Sequence, residues 1–149
     1  MANGKCPDAD SDCEVAAARA LISLLQDGLT LLDTAGMAIE EYKRYCSFSG
    51  QPGVGDRFFS ELIRNIANPT LVAQVNIGAT LQDVQQIIPE PLAEFDPSDL
   101  KWLALFLRGD ADVLLNATDS DYSEWSSELR DARINVVQLC PQCLRKRQN

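Results

Sequence analysis

The residues of this sequence with the clearest chemical potential are carboxylates at the borders of predicted elements. Asp99 lies at the start of an amphipathic helix, and Asp119 and Asp121 follow an apolar run at residues 113–115. Open parallel sheets place ligand sites beyond the carboxyl ends of their strands. Carboxylates gathered there can hold a hard divalent cation, which activates water against a phosphodiester. The pattern therefore predicts metal-dependent cleavage of a nucleic acid.

Each of these acids also has a simpler structural interpretation. Asp99 in the first turn of a helix favours the helix dipole. Asp119 and Asp121 are typical of a turn followed by an N-cap. A helix acid such as Glu41 is ordinarily a solvated surface residue. Spacing alone leaves both interpretations open.

The elements that must position these acids follow from hydrophobic periodicity and turn residues. The region 78–94, which contains several prolines, is predicted to be a loop with at most one helical turn. The alternation of helices and strands in the second half is typical of a parallel sheet. The predicted helices cover residues 12–26, 35–45, 56–66, 97–107 and 122–133, and the predicted strands cover 29–32, 71–77, 113–115 and 134–139.

Composition limits the possible functions. A chain of 149 residues with 46% hydrophobic content is predicted to form one domain over residues 1–149, with flexible ends at 1–11 and 144–149. The net charge of −9 disfavours a broad surface for polyanions, so nucleic acid would need metal and local basic residues, such as the cluster Arg145-Lys146-Arg147. The absence of histidine excludes histidine acid-base catalysis and histidine zinc ligands.

The five cysteines and the polar N-terminus bear on location. An odd number of scattered cysteines without a signal peptide predicts free thiols and a cytoplasmic protein. No segment approaches the roughly 18 apolar residues of a membrane span, so no membrane association is expected. The spacing of Cys140 and Cys143 is typical of one half of a zinc site, and Cys6 and Cys13 are an imperfect candidate for the other half. Thiols that bind no metal are the favoured interpretation.

Three segments resemble motifs of PIN-like nuclease domains. Residues 32–45 contain Glu40-Glu41-Tyr42-Lys43-Arg44, a helix glutamate followed by an aromatic and basic residues. The segment 96–104 is similar to the third motif of the family, and 113–121 to the fourth, a strand that leads into an acidic loop. The resemblance covers roughly residues 12–140.

The resemblance implies a three-layer α/β/α fold with a mainly parallel central sheet. It implies an endoribonuclease that uses Mg²⁺ or Mn²⁺, with Glu41, Asp99 and Asp119 as catalytic metal ligands. Asp121 would be a fourth ligand or would position water, and Glu40 would replace Glu41 in another helix register. RNA is the implied substrate, and a neutralising protein partner, as in toxin-antitoxin pairs, and homo-oligomers are compatible with the family.

One departure from the family pattern favours an alternative. Such domains open with a central strand that ends in an aspartate, and here the N-terminus passes almost directly into a helix. Asp8, Asp10 and Asp12 lack a preceding apolar run and are interpreted as loop and capping acids. The alternative function is a catalytically degenerate PIN-like domain that acts as a protein-interaction module. Trp102 and Tyr122, beside the acids, could stack on bases or belong to the core.

Overall fold

The computed structural model describes residues 1–144, and the predicted basic cluster Arg145-Lys146-Arg147 lies outside the described residues. The described part is a mixed α/β structure. Its helices are α1 (Ser11–Asp27), α2 (Met37–Tyr45), α3 (Val54–Arg64), α4 (Leu81–Gln85), α5 (Leu100–Gly109), α6 (Asp121–Glu124) and α7 (Ser126–Asp131). Its strands are β1 (Thr30–Asp33), β2 (Val72–Val75), β3 (Leu114–Asn116) and β4 (Val136–Gln138), and 3₁₀ turns occupy Glu90–Leu92 and Pro141–Cys143.

The strands form two small parallel sheets within residues 1–144. β1 pairs with β2, Thr30 opposite Val72 and Asp33 opposite Val75. β3 pairs with β4, Leu114 opposite Val136. The predicted α/β class with parallel strands is confirmed in this coarse form. The predicted single central sheet with three layers is not confirmed.

Helix α5 is the centre of the core. Its residues Leu100, Leu103 and Ala104 are buried, and the helix packs against β1, β2, α2 and α4. The helix ends at Gly109, where a Cβ would clash with the Leu31 side chain of β1. A glycine there lets the C-terminal end of α5 approach the first sheet closely.

The starts of two helices, α1 and α3, differ from the predictions. α1 begins at Ser11, one residue before the predicted start, and its cap is Asp10, whose carboxylate accepts a hydrogen bond of 2.7 Å from Cys13 N. α3 begins at Val54, two residues before the predicted start, because the Asp56 carboxylate accepts from Gly53 N at 2.9 Å inside the first turn. A side chain at the third helical position can thus be mistaken for the N-cap.

Two further segments differ from the predictions: one contains an additional helix, and the other is a predicted helix that is divided in two. The region 78–94 contains α4 because Thr80 and Asp83 form a reciprocal cap, with Thr80 N donating to Asp83 at 2.9 Å and Asp83 N donating to Thr80 at 3.2 Å. The predicted helix 122–133 is divided into α6 and α7 at Trp125, whose φ of −95° and ψ of 19° leave the helical region. Capping explains α4, whereas the division at Trp125 is a local change of backbone angles.

The prediction of five free thiols is wrong for two of them. Cys13 of α1 and Cys140, just after β4, form a disulfide with a Cα–Cα distance of 5.2 Å, and both residues are fully buried. Cys6, Cys46 and Cys143 are free. The thiol argument for a cytoplasmic location therefore no longer holds, and two of the four cysteines considered for zinc are occupied.

The N-terminal residues, predicted to be a flexible end, contact α3. The Asn3 side chain donates to Asp56 Oδ1 at 3.0 Å and accepts from Asp56 N at 3.0 Å. Ser47 N also donates to the Asp56 carboxylate, at 2.6 Å. These bonds lower the pKa of Asp56, the one from Ser47 N most strongly.

Among residues 1–144, no helix combines the length and hydropathy needed to cross a bilayer.

Candidate functional site: a cluster of aspartates

Asp99 is at the N-cap position of α5, but its carboxylate makes no capping hydrogen bond. The carboxyl group instead lies against that of Asp119. Partial burial, followed by the hydrogen bond and the charge of Asp119, raises the pKa of Asp99 to about 7, and the Lys101 ammonium opposes this rise. The structural interpretation of Asp99 as a simple cap is therefore not supported, and two predicted site residues far apart in sequence are neighbours in space.

The loop after β3 is held in place by Asn116. This buried residue ends β3, and its side-chain amide donates to Asp119 O at 2.7 Å and to Gln138 Oε1 of β4 at 2.5 Å. The Asp119 carboxylate accepts from Asp121 N at 2.9 Å, as in an Asx turn. Asp119 thus has both a turn role and a position beside Asp99. Because β3 and β4 pair in parallel, Asn116 lies opposite Gln138 and both are at the same end of the sheet.

Asp121 is the first residue of α6, close enough to the other acids to interact electrostatically. Burial raises the pKa of its carboxyl group, and the charges of Asp119, Asp96 and Glu124 raise it further. Asp99, Asp119 and Asp121, which the sequence selected, are therefore gathered in one region of the molecule.

Asp96 is a fourth member of this cluster that sequence reasoning did not select. Its carboxylate accepts from Ser98 N at 2.7 Å, and its charge contributes to the raised pKa of both Asp99 and Asp121. Tyr122 is close enough to all four aspartates to feel their charge: burial, followed by the charges of Asp99, Asp119, Asp121 and Asp96, raises the pKa of its phenol. We call Asp96, Asp99, Asp119 and Asp121 the aspartate cluster. The short spacing of Asp96 and Asp99 ahead of α5 was the sequence signal for the fourth member.

Glu41 is joined to the aspartate cluster through a lysine. Its Oε2 is 3.1 Å from Lys101 Nζ and 3.8 Å from Arg44 Nη1. Lys101 is only 8% exposed; its ammonium also donates to Ser98 O and lies 5.0 Å from the Trp102 ring centre. Because the same ammonium lowers the pKa of Asp99, Lys101 is the cationic link between the predicted glutamate and the aspartates.

Glu40, the predicted substitute for Glu41, is in a different environment. It is exposed and forms an ion pair with Lys43 of the same helix at 2.7 Å. A pair of this kind contributes little to stability in water. The helix register of α2 therefore places Glu41, and not Glu40, beside Lys101.

Asp33 is a further acid that sequence reasoning placed at a strand end but did not assign to the site. It ends β1, is only 3% exposed, and accepts from Met37 N at 2.8 Å and Ala38 N at 2.7 Å. The apolar run Leu29-Thr30-Leu31-Leu32 predicted this strand and its end at Asp33. The first strand of residues 1–144 follows α1, as the sequence indicated when no strand was predicted before the first helix.

The two aromatic residues beside the cluster are packed inside the protein. Tyr122 is 5% exposed and its ring centre is 5.2 Å from that of Phe95. Trp102 lies between Lys101 and Tyr42, with a ring separation of 5.7 Å from the tyrosine. The core interpretation fits both rings better than stacking on bases.

The donor chemistry of the aspartate cluster fits a hard cation only in part. Aspartate oxygens are the ligands that Mg²⁺ and Mn²⁺ prefer, and burial together with the neighbouring Asp119 raises the pKa of Asp99. In residues 1–144, however, no group of three or more cysteine, aspartate or glutamate side chains has the arrangement of a metal site. The side chains would have to rotate to converge on one ion.

Comparison with known proteins does not assign this chain to a family. No protein-family model, no curated protein and no solved structure matches it. A functional argument therefore depends on the geometry described above.

Proposed function

We propose that this protein is a metal-dependent endoribonuclease with a PIN-like three-layer arrangement, whose site is the aspartate cluster. The observation that carries the proposal is the contact between Asp99, at the start of α5, and Asp119, after β3, with the pKa of Asp99 raised to about 7. Two carboxyl groups that share a proton when no cation is present are a common arrangement in sites that bind divalent cations.

The residues of the cluster have distinct roles in this proposal. Asp99 and Asp119 are ligands of Mg²⁺ or Mn²⁺, and Asp121 is a further ligand or positions the attacking water. A cation bound there would activate water and stabilise charge on the phosphate. Asp33 at the end of β1 has no metal role in this proposal, because both of its carboxylate oxygens accept hydrogen bonds from the first turn of α2.

Glu41 requires a local rearrangement before it can act as a ligand. Its ion pair with Lys101 must open, since the ammonium is 3.1 Å from the carboxylate. In the arrangement described here, Lys101 offsets part of the negative charge that Glu41 and the aspartates bring to this region. The proposed role of Glu41 therefore depends on Lys101 moving toward the substrate phosphate or away from the site.

Substrate, location and partners are proposed on the family resemblance. We propose RNA as the substrate, and the cytoplasm as the location on the family resemblance alone, since the Cys13–Cys140 disulfide argues against it. A neutralising protein partner and a homo-oligomer are compatible with the same proposal.

The experiment is a cleavage assay on labelled single-stranded RNA. Separate reactions contain wild type with Mn²⁺, wild type with EDTA, and each of three substituted proteins with Mn²⁺. We expect Asp99→Asn and Asp119→Asn to reduce the cleavage rate by at least about a hundredfold, which corresponds to about 2.7 kcal/mol of lost transition-state stabilisation. Asp27→Asn, at the exposed end of α1, is the matched control and should cleave as wild type does. Equal rates for all three variants would remove the cluster from the mechanism.

One observation favours the alternative, a PIN-like domain that retains the fold and serves as a protein-interaction module. Lys101 occupies the neighbourhood of Glu41 and the aspartates with a permanent cation, as expected for a site that no longer binds metal. This alternative predicts no Mn²⁺-dependent cleavage by the wild type and no effect of Asp99→Asn on partner binding. The same assay therefore separates the two functions.

A further inference from the structure

A groove of about 470 Å³ lies beside the aspartate cluster, and nothing in the proposed mechanism uses it. Its walls come from α6, α7 and β4, and Tyr122 lies at one end. Leu129, Ile134 and Val136 provide apolar surface, while Ser123 and Ser126 contribute hydroxyl groups. The groove thus combines an apolar floor with polar edges, as ligand sites commonly do.

Two arginines give the groove its electrostatic character. Arg130 and Arg133 both line it, both are exposed, and neither forms a salt bridge with a described residue. Arg133 has a positive φ of 60°, and its N donates to Arg130 O at 2.9 Å in the turn that ends α7. In a chain with a net charge of −9, two arginines without carboxylate partners on one wall indicate an anionic ligand.

The groove is structurally continuous with the aspartate cluster. Tyr122 lines the groove and interacts with all four aspartates. Gln138, also in the groove, accepts from the Asn116 amide, which donates at the same time to Asp119 O. The groove and the aspartate cluster therefore lie on two sides of one wall, which Tyr122 and the Asn116 bridge form, so a chain in the groove would lie next to the carboxylates.

Arginine is suited to phosphate because its planar guanidinium offers two parallel N–H donors to phosphate oxygens. A single-stranded nucleic acid presents a row of such groups, and a local basic groove can hold it without a basic surface overall. The apolar floor is compatible with the sugar and base edges of the strand.

We propose that this groove binds the phosphate backbone of single-stranded RNA on one side of the phosphate to be cleaved, with Arg130 and Arg133 as phosphate-binding residues. The inference rests on the proposed nuclease function for its choice of RNA. It adds a substrate-binding surface whose contacts are independent of the metal.

The test is RNA binding without cleavage. Fluorescence anisotropy of a labelled single-stranded RNA of 12 nucleotides would be measured in EDTA at several salt concentrations. The double variant Arg130→Gln/Arg133→Gln is compared with Arg19→Gln/Arg57→Gln, which removes the same charge from exposed positions on α1 and α3. Melting temperatures of both variants should equal that of wild type, because all four side chains are exposed.

We expect the groove variant to bind at least about tenfold more weakly than wild type, for RNAs of different sequence alike, while the control variant binds as wild type does. The slope of log Kd against log salt should fall by about 1.4, since each contact with a single strand contributes about 0.7. Equal affinity of the two variants, or no RNA binding by wild type, would overturn the groove assignment. Wild-type binding that depends on the arginines, without Mn²⁺-dependent cleavage, would instead contradict only the nuclease function.

Discussion

At the scale of single residues, the important finding is that Asp99 is free of the capping role that its position suggests. Its carboxyl group lies against Asp119, in a partly buried environment that favours the protonated form. Lys101 reduces this effect and also holds Glu41 at 3.1 Å. A buried cation and a group of aspartates therefore share one small region, whose charge balance depends on pH.

The raised pKa of Asp99 predicts a specific pH dependence of stability. Because the folded-state pKa of about 7 is above the ordinary aspartate value of 3.8, the folded protein holds a proton that the unfolded chain releases. The stabilising contribution is complete below about pH 4 and is lost as the pH rises through about 7. We expect Asp99→Asn, which keeps the neutral form permanently, to gain stability relative to wild type between pH 5 and pH 8.

Urea unfolding in EDTA at these two pH values measures the effect. The difference in unfolding free energy between the variant and wild type isolates Asp99 from the other carboxyl groups, which titrate in both proteins. Asp27→Asn serves as the control, with a difference that does not change with pH. If the difference for Asp99→Asn were the same at pH 5 and pH 8, the proposed proton sharing with Asp119 would be wrong.

At the scale of elements, the disulfide between Cys13 and Cys140 joins α1 to the segment after β4. The two cysteines are 127 residues apart in the sequence, so the bond closes almost the entire described chain into one loop. α1 otherwise packs mainly on α3, while β4 belongs to the second sheet. The disulfide thus connects the N-terminal helix to the half of the molecule that contains the candidate site.

The disulfide predicts a large change in stability with redox conditions. Closing a loop of this size restricts the unfolded chain, and its loss costs about 4 kcal/mol. We expect Cys13→Ser and Cys140→Ser to lower the unfolding free energy by about this amount, as reducing agent does for wild type. Cys143→Ser, which removes a free thiol, should leave it unchanged.

Urea unfolding with and without dithiothreitol checks this expectation. Labelling of denatured, unreduced protein with a thiol reagent should modify Cys6, Cys46 and Cys143 alone. Modification of all five cysteines, together with a stability that reducing agent does not alter, would contradict the bond.

Element by element, the predictions from sequence succeeded where periodicity was strong. The strand before Asp33 and the helix with Leu100, Leu103 and Ala104 were both predicted, because apolar residues recur there at a clear spacing. α4 was underestimated because its existence depends on the cap formed by Thr80 and Asp83 and not on an apolar stripe. The division at Trp125 was missed because nothing in the local pattern signals a change of backbone angles there.

At the scale of the whole molecule, sequence predicted which aspartates would meet but not how their charge is balanced. Asp99 and Asp119 were selected from their positions at a helix start and a strand end, and parallel pairing brings such ends together. The link from Glu41 to Lys101 depends on the packing of α2 against α5, which no local pattern reveals. The pairing of Cys13 with Cys140 was likewise hidden, because it depends on two segments at opposite ends of the chain.

The central claim is that Asp99 and Asp119 together form a site for a divalent cation, and thermal melting against Mn²⁺ concentration tests it most directly. Binding to the folded state alone raises stability by mass action, so a tenfold excess over Kd should raise the melting temperature by about 4 °C. We expect this shift for wild type and Asp27→Asn, and none for Asp99→Asn or Asp119→Asn. An unchanged wild-type melting temperature at millimolar Mn²⁺, or equal shifts in all four proteins, would contradict the claim.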